Sequence, residues 1–387
     1  MDRQPAADTA TKNGSTAVEK FAPAFVPGPF PLRNPGNGCF LNALLQGLVS
    51  CTAFTRAVLA NKEYLQLTKT GAAMFNFVSA YATPEAAKPA QQVNLDIEWH
   101  STAIVAALIR DLHQRRPRVR FGLSQESASE ALVHLLDMME PAEKNAGSAS
   151  ESPITRLFQY RCVCTVYCGG CRQIVSREND YGVVVNTFYL RDMKKRPQTV
   201  GEFSDALVAH NSVLTDYVCD NCSAEAGPQE RGADGRPIAP QHSVISFRRY
   251  RLSMVPEIIA CLFEIYGVHG GRTQYFIPAK LEIPRIGGGV HVYSQVAQIL
   301  HSGTLNSGHY ITHALRNPRI YLFNDAATPR ESSAFVQSPN TYIALYHYYC
   351  EAEDVKPAKA KPAPEQPEPS VTADAPKNGG EERGPGH

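Results

Sequence analysis

An excess of charge of either sign is missing from this chain: 38 Lys and Arg stand against 37 Asp and Glu in 387 residues, a formal net charge of +1. So even a balance gives no reason to expect a nucleic-acid partner, and the charge run at 191–196 reads as a solvated loop. No apolar stretch of 18 or more residues occurs and no hydrophobic leader opens the sequence, so neither a membrane partner nor a secretory route is expected. Ten cysteines in a chain without a secretory segment suggest reducing surroundings, in the cytoplasm and/or nucleus. A monomer is expected.

The length can hold one large core of about 330 residues, alone or with a subordinate lobe. Both ends lack the apolar residues to join it: residues 1–24 are rich in Ala, Thr, Pro and charge, and residues 351–387 in Pro, Ala, Glu, Lys and Gly, so both read as disordered tails. The Gly-Pro-rich stretch 224–241 reads as a further flexible excursion. Within 25–350 the hydrophobic period changes once. Residues 25–158 look helical, with Ile104, Val105, Ala107, Leu108 and Leu112 on one stripe of a helix at 101–114, and Ala131, Leu132, Leu135, Leu136 and Met139 on a helix at 127–139 that Ser127 or Ser124 can cap. From 159 onward the pattern turns to strands, at 182–190, 244–250 and 258–266 among others, with a helical exception at 202–210. The fold class is α+β.

Two constellations carry chemistry. Cys39 opens an amphipathic segment, predicted to be a helix running to about Leu59, in which Phe40, Leu41, Leu44, Leu45 and Leu48 recur at helical spacing. A thiol in the first turn of a helix meets backbone N–H groups and the positive end of the macrodipole, which favour the thiolate. The preceding Asn34-Pro35-Gly36-Asn37-Gly38 reads as a tight loop bringing backbone donors and the Asn34 amide near the sulfur, where an oxyanion would need them. Far downstream, His309 follows a mobile turn at 302–308 and begins a strand, and Asn324 and Asp325 end the next one. A hairpin of this kind returns Asn324 or Asp325 to His309, giving the thiol, imidazole and orienting group that a cysteine nucleophile needs. The bland alternative makes Cys39 a small buried hydrophobe and Asn324-Asp325 a solvated turn. The second constellation is Cys168-Gly169-Gly170-Cys171 with Cys219-Asp220-Asn221-Cys222, two knuckles whose thiolates can complete a tetrahedral four-cysteine zinc site. Cys162 and Cys164, one residue apart, fit strand positions better than a knuckle, though either can substitute as a ligand.

These motifs, in this order, resemble the ubiquitin-specific proteases, the papain-like deubiquitinating cysteine peptidases. The resemblance lies in the Cys box from Asn34 to Gln46, Pro256-Glu257 at the entry to an apolar strand, and the His box from Tyr293 through His301-Ser302-Gly303, Gly308-His309-Tyr310 and Phe323-Asn324-Asp325 to the closing strand at 342–346. It covers about residues 30–350 and implies a helical thumb at about 25–158, then a β-rich palm and zinc-bearing β fingers at about 159–350. It implies Cys39 as nucleophile, His309 as general base, Asn324 as the group orienting it, Asn34 in the oxyanion hole, and Asp325 sharing the orienting or oxyanion role. A structural zinc on Cys168, Cys171, Cys219 and Cys222 would be the one cofactor, with no catalytic cofactor. Hydrolysis of isopeptide or peptide bonds after the C-terminal glycine of ubiquitin is the implied function, with ubiquitin and ubiquitinated proteins as partners. Gly38 stands where the family usually has Thr, and Ser127 and Ser129 replace an Asp and a His of the family's helical acidic motif. The changed surface at those serines motivates the alternative of a ubiquitin-like modifier as substrate. The remaining alternative is a catalytically weak ubiquitin-binding scaffold.

Overall fold

The computed structural model describes residues 28–34, 36–82, 90–122, 126–142, 152–193, 195–214, 217–225, 246–267, 271–285, 289–316 and 318–352. The predicted tail 1–24, residues 353–387 of the predicted C-terminal tail and most of the 224–241 excursion lie outside these residues; Glu351 and Ala352, expected in that tail, end the last strand instead. Six helices come first: α1 Cys39–Leu48, α2 Thr52–Ala60, α3 Lys62–Leu65, α4 Lys69–Ala82, α5 Ala90–Arg115 and α6 Ala128–Met139. The single helix expected from Cys39 to about Leu59 is two. It breaks after Leu48 and turns by 89°. The break lets both halves bury apolar faces, with Leu44, Leu45 and Leu48 on one and Phe54 and Val58 on the other entirely inside. Ser127 caps α6, its Oγ accepting the Glu130 N–H at 3.3 Å.

Strands β1 Tyr160–Tyr167, β2 Ile174–Gly182 and β3 Val185–Asn186 follow, then short α7 Tyr189–Asp192, α8 Val200–Val208, β4 Ala209–Leu214 and α9 Asp220–Glu225. The strand expected over 182–190 is therefore only β3, ending in a helical turn. Strands β5 Ser246–Met254, β6 Ile258–Leu262, β7 Lys280–Pro284, β8 Val290–Thr304, β9 Ser307–Arg316, β10 Arg319–Phe323, β11 Arg330–Ser332 and β12 Thr341–Ala352 complete the fold. They form a four-stranded finger sheet, β2-β1-β5-β4, and an eight-stranded palm sheet, β11-β10-β9-β8-β12-β6-β3, with β7 also on β8.

The palm sheet is buried on both faces, as the near-continuous apolar run of β6 requires. Ile258 and Ala260 join the thumb-side core with α1, whereas Ile259 and Cys261 point to the other face, under Phe203 and Leu207 of α8. Helix α1 lies directly on the sheet. A Cβ at Gly47 would come within 3.1 Å of Leu345 Cδ1 and 3.3 Å of Ala297 Cβ, so glycine lets the helix approach the sheet without displacing these side chains. Thr312 Oγ1 on β9 donates to the Ala43 carbonyl at 2.8 Å, fixing the helix along its length.

Candidate active site

Cys39 is the first residue of α1 and only 5% exposed. The loop before it is shaped by one side chain: Asn34 Oδ1 accepts the N–H groups of Gly36 at 3.1 Å and Gly38 at 2.9 Å. The Asn34 amide donates at 2.9 Å to Asp325 Oδ2, while the other carboxylate oxygen of Asp325 takes the Asn42 amide at 2.9 Å. The Asp325 carbonyl also accepts the Leu32 N–H at 3.0 Å. Asp325 has φ 44, a left-handed conformation that Asp tolerates better than most residues and that turns its carboxylate and carbonyl onto the cysteine loop. Asn42, which sequence reasoning passed over, is thus the third member of the clamp.

His309 sits on β9, and its Nε2 lies 2.7 Å from Asn324 Oδ1, just past the end of β10. A carbonyl oxygen can only accept, so Nε2 carries the hydrogen and Nδ1 is left as the basic nitrogen. The Cys39 sulfur lies within reach of the backbone N–H of Tyr310, the residue after His309. Helix start and hairpin therefore meet at one point. The hairpin is tighter than a mobile turn at 302–308: Ser302 pairs with His309, Gly303 with Gly308 and Thr304 with Ser307. Gly303 has φ +131, and a Cβ there would fall 2.4 Å from Gly308 Cα, so glycine is required at the bend.

The electrostatic expectation for the thiol is reversed. Burial pushes the Cys39 thiol above its ordinary range, outweighing the N–H groups of Tyr310, Phe40 and Cys39, and the Asp325 charge adds to the rise. The helix start alone does not hold a thiolate, and a base is needed at the moment of reaction.

Ser127 and Ser129 turn inward at the N-terminus of α6. Ser127 Oγ is 2.8 Å from Ser129 Oγ and 2.9 Å from the Tyr342 hydroxyl, which lies 3.3 Å from Ser129 Oγ. His301, 2% exposed, hydrogen-bonds Tyr266 and stays neutral because burial, then the charges of Arg272 and His309, pull its pKa down to about 4.

Behind the site lies Arg316, 3% exposed, a residue with no sequence-level signal. Its guanidinium donates to Gln46 Oε1, Ser50 Oγ, the Gln46 carbonyl at 3.2 Å and the Gly28 carbonyl at 3.3 Å, and lies 4.6 Å from the Phe323 ring centre. It ties the C-terminal end of α1 to β9. Arg316→Leu should cost about 3 kcal/mol of stability in urea denaturation, since several buried acceptors lose their donor. A loss under about 1 kcal/mol would count against this anchor.

Cys168, Cys171, Cys219 and Cys222 come together at the tip of the finger sheet, their sulfurs all within 4.8 Å of one another. The Cys168–Cys222 separation is 3.7 Å and the Cys171–Cys219 separation 3.9 Å. Four thiolates at zinc–sulfur bond length on a tetrahedron stand about 3.8 Å apart, so the donor set and spacing fit that ion. Gly170 permits the crowding, since a Cβ there would lie 2.9 Å from Cys222 Sγ. Cys162 and Cys164 lie on β1, outside this cluster. Nine cysteines, those from Cys39 to Cys261, are free thiols.

The profile of the ubiquitin carboxyl-terminal hydrolase family matches residues 30–346. Ubiquitin carboxyl-terminal hydrolase A of Dictyostelium discoideum is 24% identical over 301 residues, an alignment spanning 68% of this chain and 34% of that protein. The chain thus spans about a third of the length of that curated relative. Among solved structures, a SAGA Ubp8/Sgf11/Sus1/Sgf73 module bound to monoubiquitin superposes with a TM-score of 0.62 at 15% identity, covering 86% of this chain and 71% of the other. The same module bound to ubiquitin aldehyde gives 0.61 at 15% identity, covering 86% and 72%. At that identity these likenesses establish the fold.

Proposed function

Because the chain belongs to the ubiquitin carboxyl-terminal hydrolase family, we propose that it is a cysteine-type deubiquitinating peptidase cleaving isopeptide or peptide bonds after the C-terminal glycine of ubiquitin. The observation that carries this reading is the meeting of Cys39, at the start of α1, with the hairpin on which His309 is held 2.7 Å from Asn324. Nδ1 of His309 takes the Cys39 proton as the sulfur attacks the terminal glycine carbonyl, forming the carbon–sulfur bond and an oxyanion. Asn34, one of whose amide hydrogens is held by Asp325, supplies the other to that oxyanion together with backbone N–H groups. Collapse breaks the carbon–nitrogen bond, and the imidazolium gives its proton to the departing amine. Water, deprotonated by His309, then cleaves the thioester, returning the thiol and releasing a carboxylate. Asn324 and Asp325 are positioning residues in this scheme, one for the imidazole and one for the cysteine loop.

The ion proposed for the finger cluster is zinc, held by Cys168, Cys171, Cys219 and Cys222. Crowding divides the four thiols: against desolvation, hydrogen bonds from backbone N–H groups and neighbouring thiols lower Cys168, whereas desolvation and the neighbouring sulfurs raise Cys222. A divalent cation resolves that conflict by stabilising four thiolates at once, and when bound it supplies a structural cross-link. The nine free thiols from Cys39 to Cys261 support the proposal of a reducing compartment, cytoplasmic and/or nuclear.

Purified protein should form a covalent adduct with ubiquitin carrying a C-terminal electrophile, and Cys39→Ala should abolish it. An adduct undiminished in that variant, or none with intact folded protein, rejects the assignment. A ubiquitin-like modifier is the second reading, favoured by the neutral Ser127–Ser129–Tyr342 cluster. Preferential labelling by one member of a panel of modifier electrophiles decides between them.

A further inference from the structure

The face of the finger sheet turned toward α8 does not close on that helix. Between them lies a cavity of about 170 Å³. Strand register builds one wall: Cys162 pairs with Asp180 on β2 and Leu252 on β5, and Tyr250, two residues before Leu252, pairs with His210 on β4. Directly paired residues and next-but-one neighbours share a face, so these side chains all point into the same space. Val185 of β3, Tyr189 of α7 and Leu207 and Val208 of α8 supply the remaining walls. Asp180, Asn186 and Phe188 are exposed and form the rim.

Two polar atoms of this lining have no partner. Tyr189 is only 6% exposed, and among the described residues neither its hydroxyl nor Nδ1 of His210 makes a hydrogen bond. The two rings stack face to face with centres 3.5 Å apart, and Tyr250 continues the stack at 4.8 Å from His210. Burial, then the neighbouring Cys261, Cys162 and Tyr160, raise the Tyr189 phenol above its ordinary range, so it stays a donor. Burial pulls His210 down to about 4, so its imidazole is neutral at neutral pH. A buried polar atom without a partner costs stability, and folded chains seldom keep one unless a ligand or a water completes it. At the rim, the Asp180 carboxylate takes the Tyr181 N–H at 2.9 Å and engages no salt bridge among the described residues. No Lys or Arg lines the cavity.

We propose that this cavity binds a small arylalkylamine: one ring bearing a hydrogen-bonding group fills the interior against the Tyr189 hydroxyl and His210 Nδ1, and a protonated amine reaches Asp180 at the rim. The volume admits one ring and a short stem, since an apolar cavity of about 150 Å³ holds a benzene. The unpaired carboxylate and the aromatic faces around it select a cation over an anion. An apolar body with a few placed polar groups is the ordinary make-up of a small-molecule site. The occupant touches β1, β2, β4 and β5 of the fingers on one side and β3, α7 and α8 on the other, so it wedges the two parts of the fold together. Binding here is independent of the thiol chemistry proposed for Cys39.

The test is ligand-observed NMR titration of the full chain with tyramine, beside 4-ethylphenol, which lacks the amine, and phenethylamine, which lacks the hydroxyl. Tyramine should bind about threefold or more tighter than either. Asp180→Asn should erase its advantage over 4-ethylphenol, and Tyr189→Phe its advantage over phenethylamine. Val208→Phe, which fills the cavity, should weaken all three about tenfold or more. Circular dichroism of each variant confirms that the fold is retained, and the rim change Asp180→Asn, at an exposed residue, keeps the test open if a cavity variant fails to fold. Without ligand, Tyr189→Phe should leave Tm unchanged or raise it, because the hydroxyl it removes bonds to nothing; a lower Tm would mean the hydroxyl is satisfied within the chain and would overturn the assignment. No binding up to about 5 mM tyramine, the result of a cavity that holds only water, overturns the proposal, as does binding indifferent to Val208→Phe or equal for the three probes. Cys39→Ala should bind tyramine as the unchanged chain does. Loss of tyramine binding with an intact electrophile adduct tells against this cavity alone; the reverse result tells against the catalytic reading alone.

Discussion

Changing His309 to Ala is expected to lower kcat on a ubiquitin C-terminal amide by about 10⁴-fold with a much smaller change in KM. The size follows from the state of the thiol. Burial keeps Cys39 protonated at neutral pH, so the nucleophile does not exist until a base removes the proton, and the imidazole beside Tyr310 supplies that base. Asn324→Ala should cost less, about 10- to 100-fold in kcat, because the imidazole remains but loses the acceptor that fixes its tautomer 2.7 Å away. Asn324→Asp, which keeps the acceptor, should recover most of the loss. Steady-state kinetics on the three variants checks the order. A His309→Ala enzyme within about tenfold of the unchanged chain would reject the role of base.

The same thiol gives a pH signature. A pKa raised above the ordinary thiol value means that the rate of alkylation by iodoacetamide should climb with pH through neutrality, by about tenfold per unit, without a plateau near pH 7. A plateau below pH 7 would instead indicate a standing thiolate.

Removing the finger metal should have the other large effect, on structure before chemistry. Structural zinc contributes about 10 kcal/mol or more to folding in small zinc-dependent peptides, because no site exists in the unfolded chain. Here the site joins the loop between β1 and β2 to the segment after β4, linking the two edges of a four-stranded sheet. Cys168→Ser or a chelator should therefore release one zinc per chain and expose β1, β2, β4 and β5 to amide hydrogen exchange. The palm strands β8, β9 and β12, which are packed against α1, should stay protected. Cys164→Ser should retain the metal, since Cys164 lies on β1 outside the cluster. Protein purified without chelator that contains no zinc, or a Cys168→Ser variant with unchanged exchange in the finger strands, would refute a required four-cysteine site.

The division between sequence and tertiary structure follows the range over which each feature is determined. The two CxxC knuckles, the Asn34-to-Gln46 run and the change of hydrophobic period near residue 159 are local in the chain, so ligand spacing, the cysteine helix and the α+β class were legible directly. The apolar spacing from Phe40 to Val58 did not reveal the break after Leu48, because both halves keep a helical period and only packing against the sheet demands the 89° turn. Nor did it reveal Arg316, a charged residue that reads as surface until the acceptors of Gln46, Ser50 and Gly28 surround it. The clamp of Asp325 on Asn34 and Asn42 likewise exists only because β10 ends beside the cysteine loop, 283 and 291 residues away in sequence. The thiol is the sharpest case: the helix start fixes the local dipole, but burial by the folded chain sets the larger opposing energy, and desolvation is a property of tertiary packing alone.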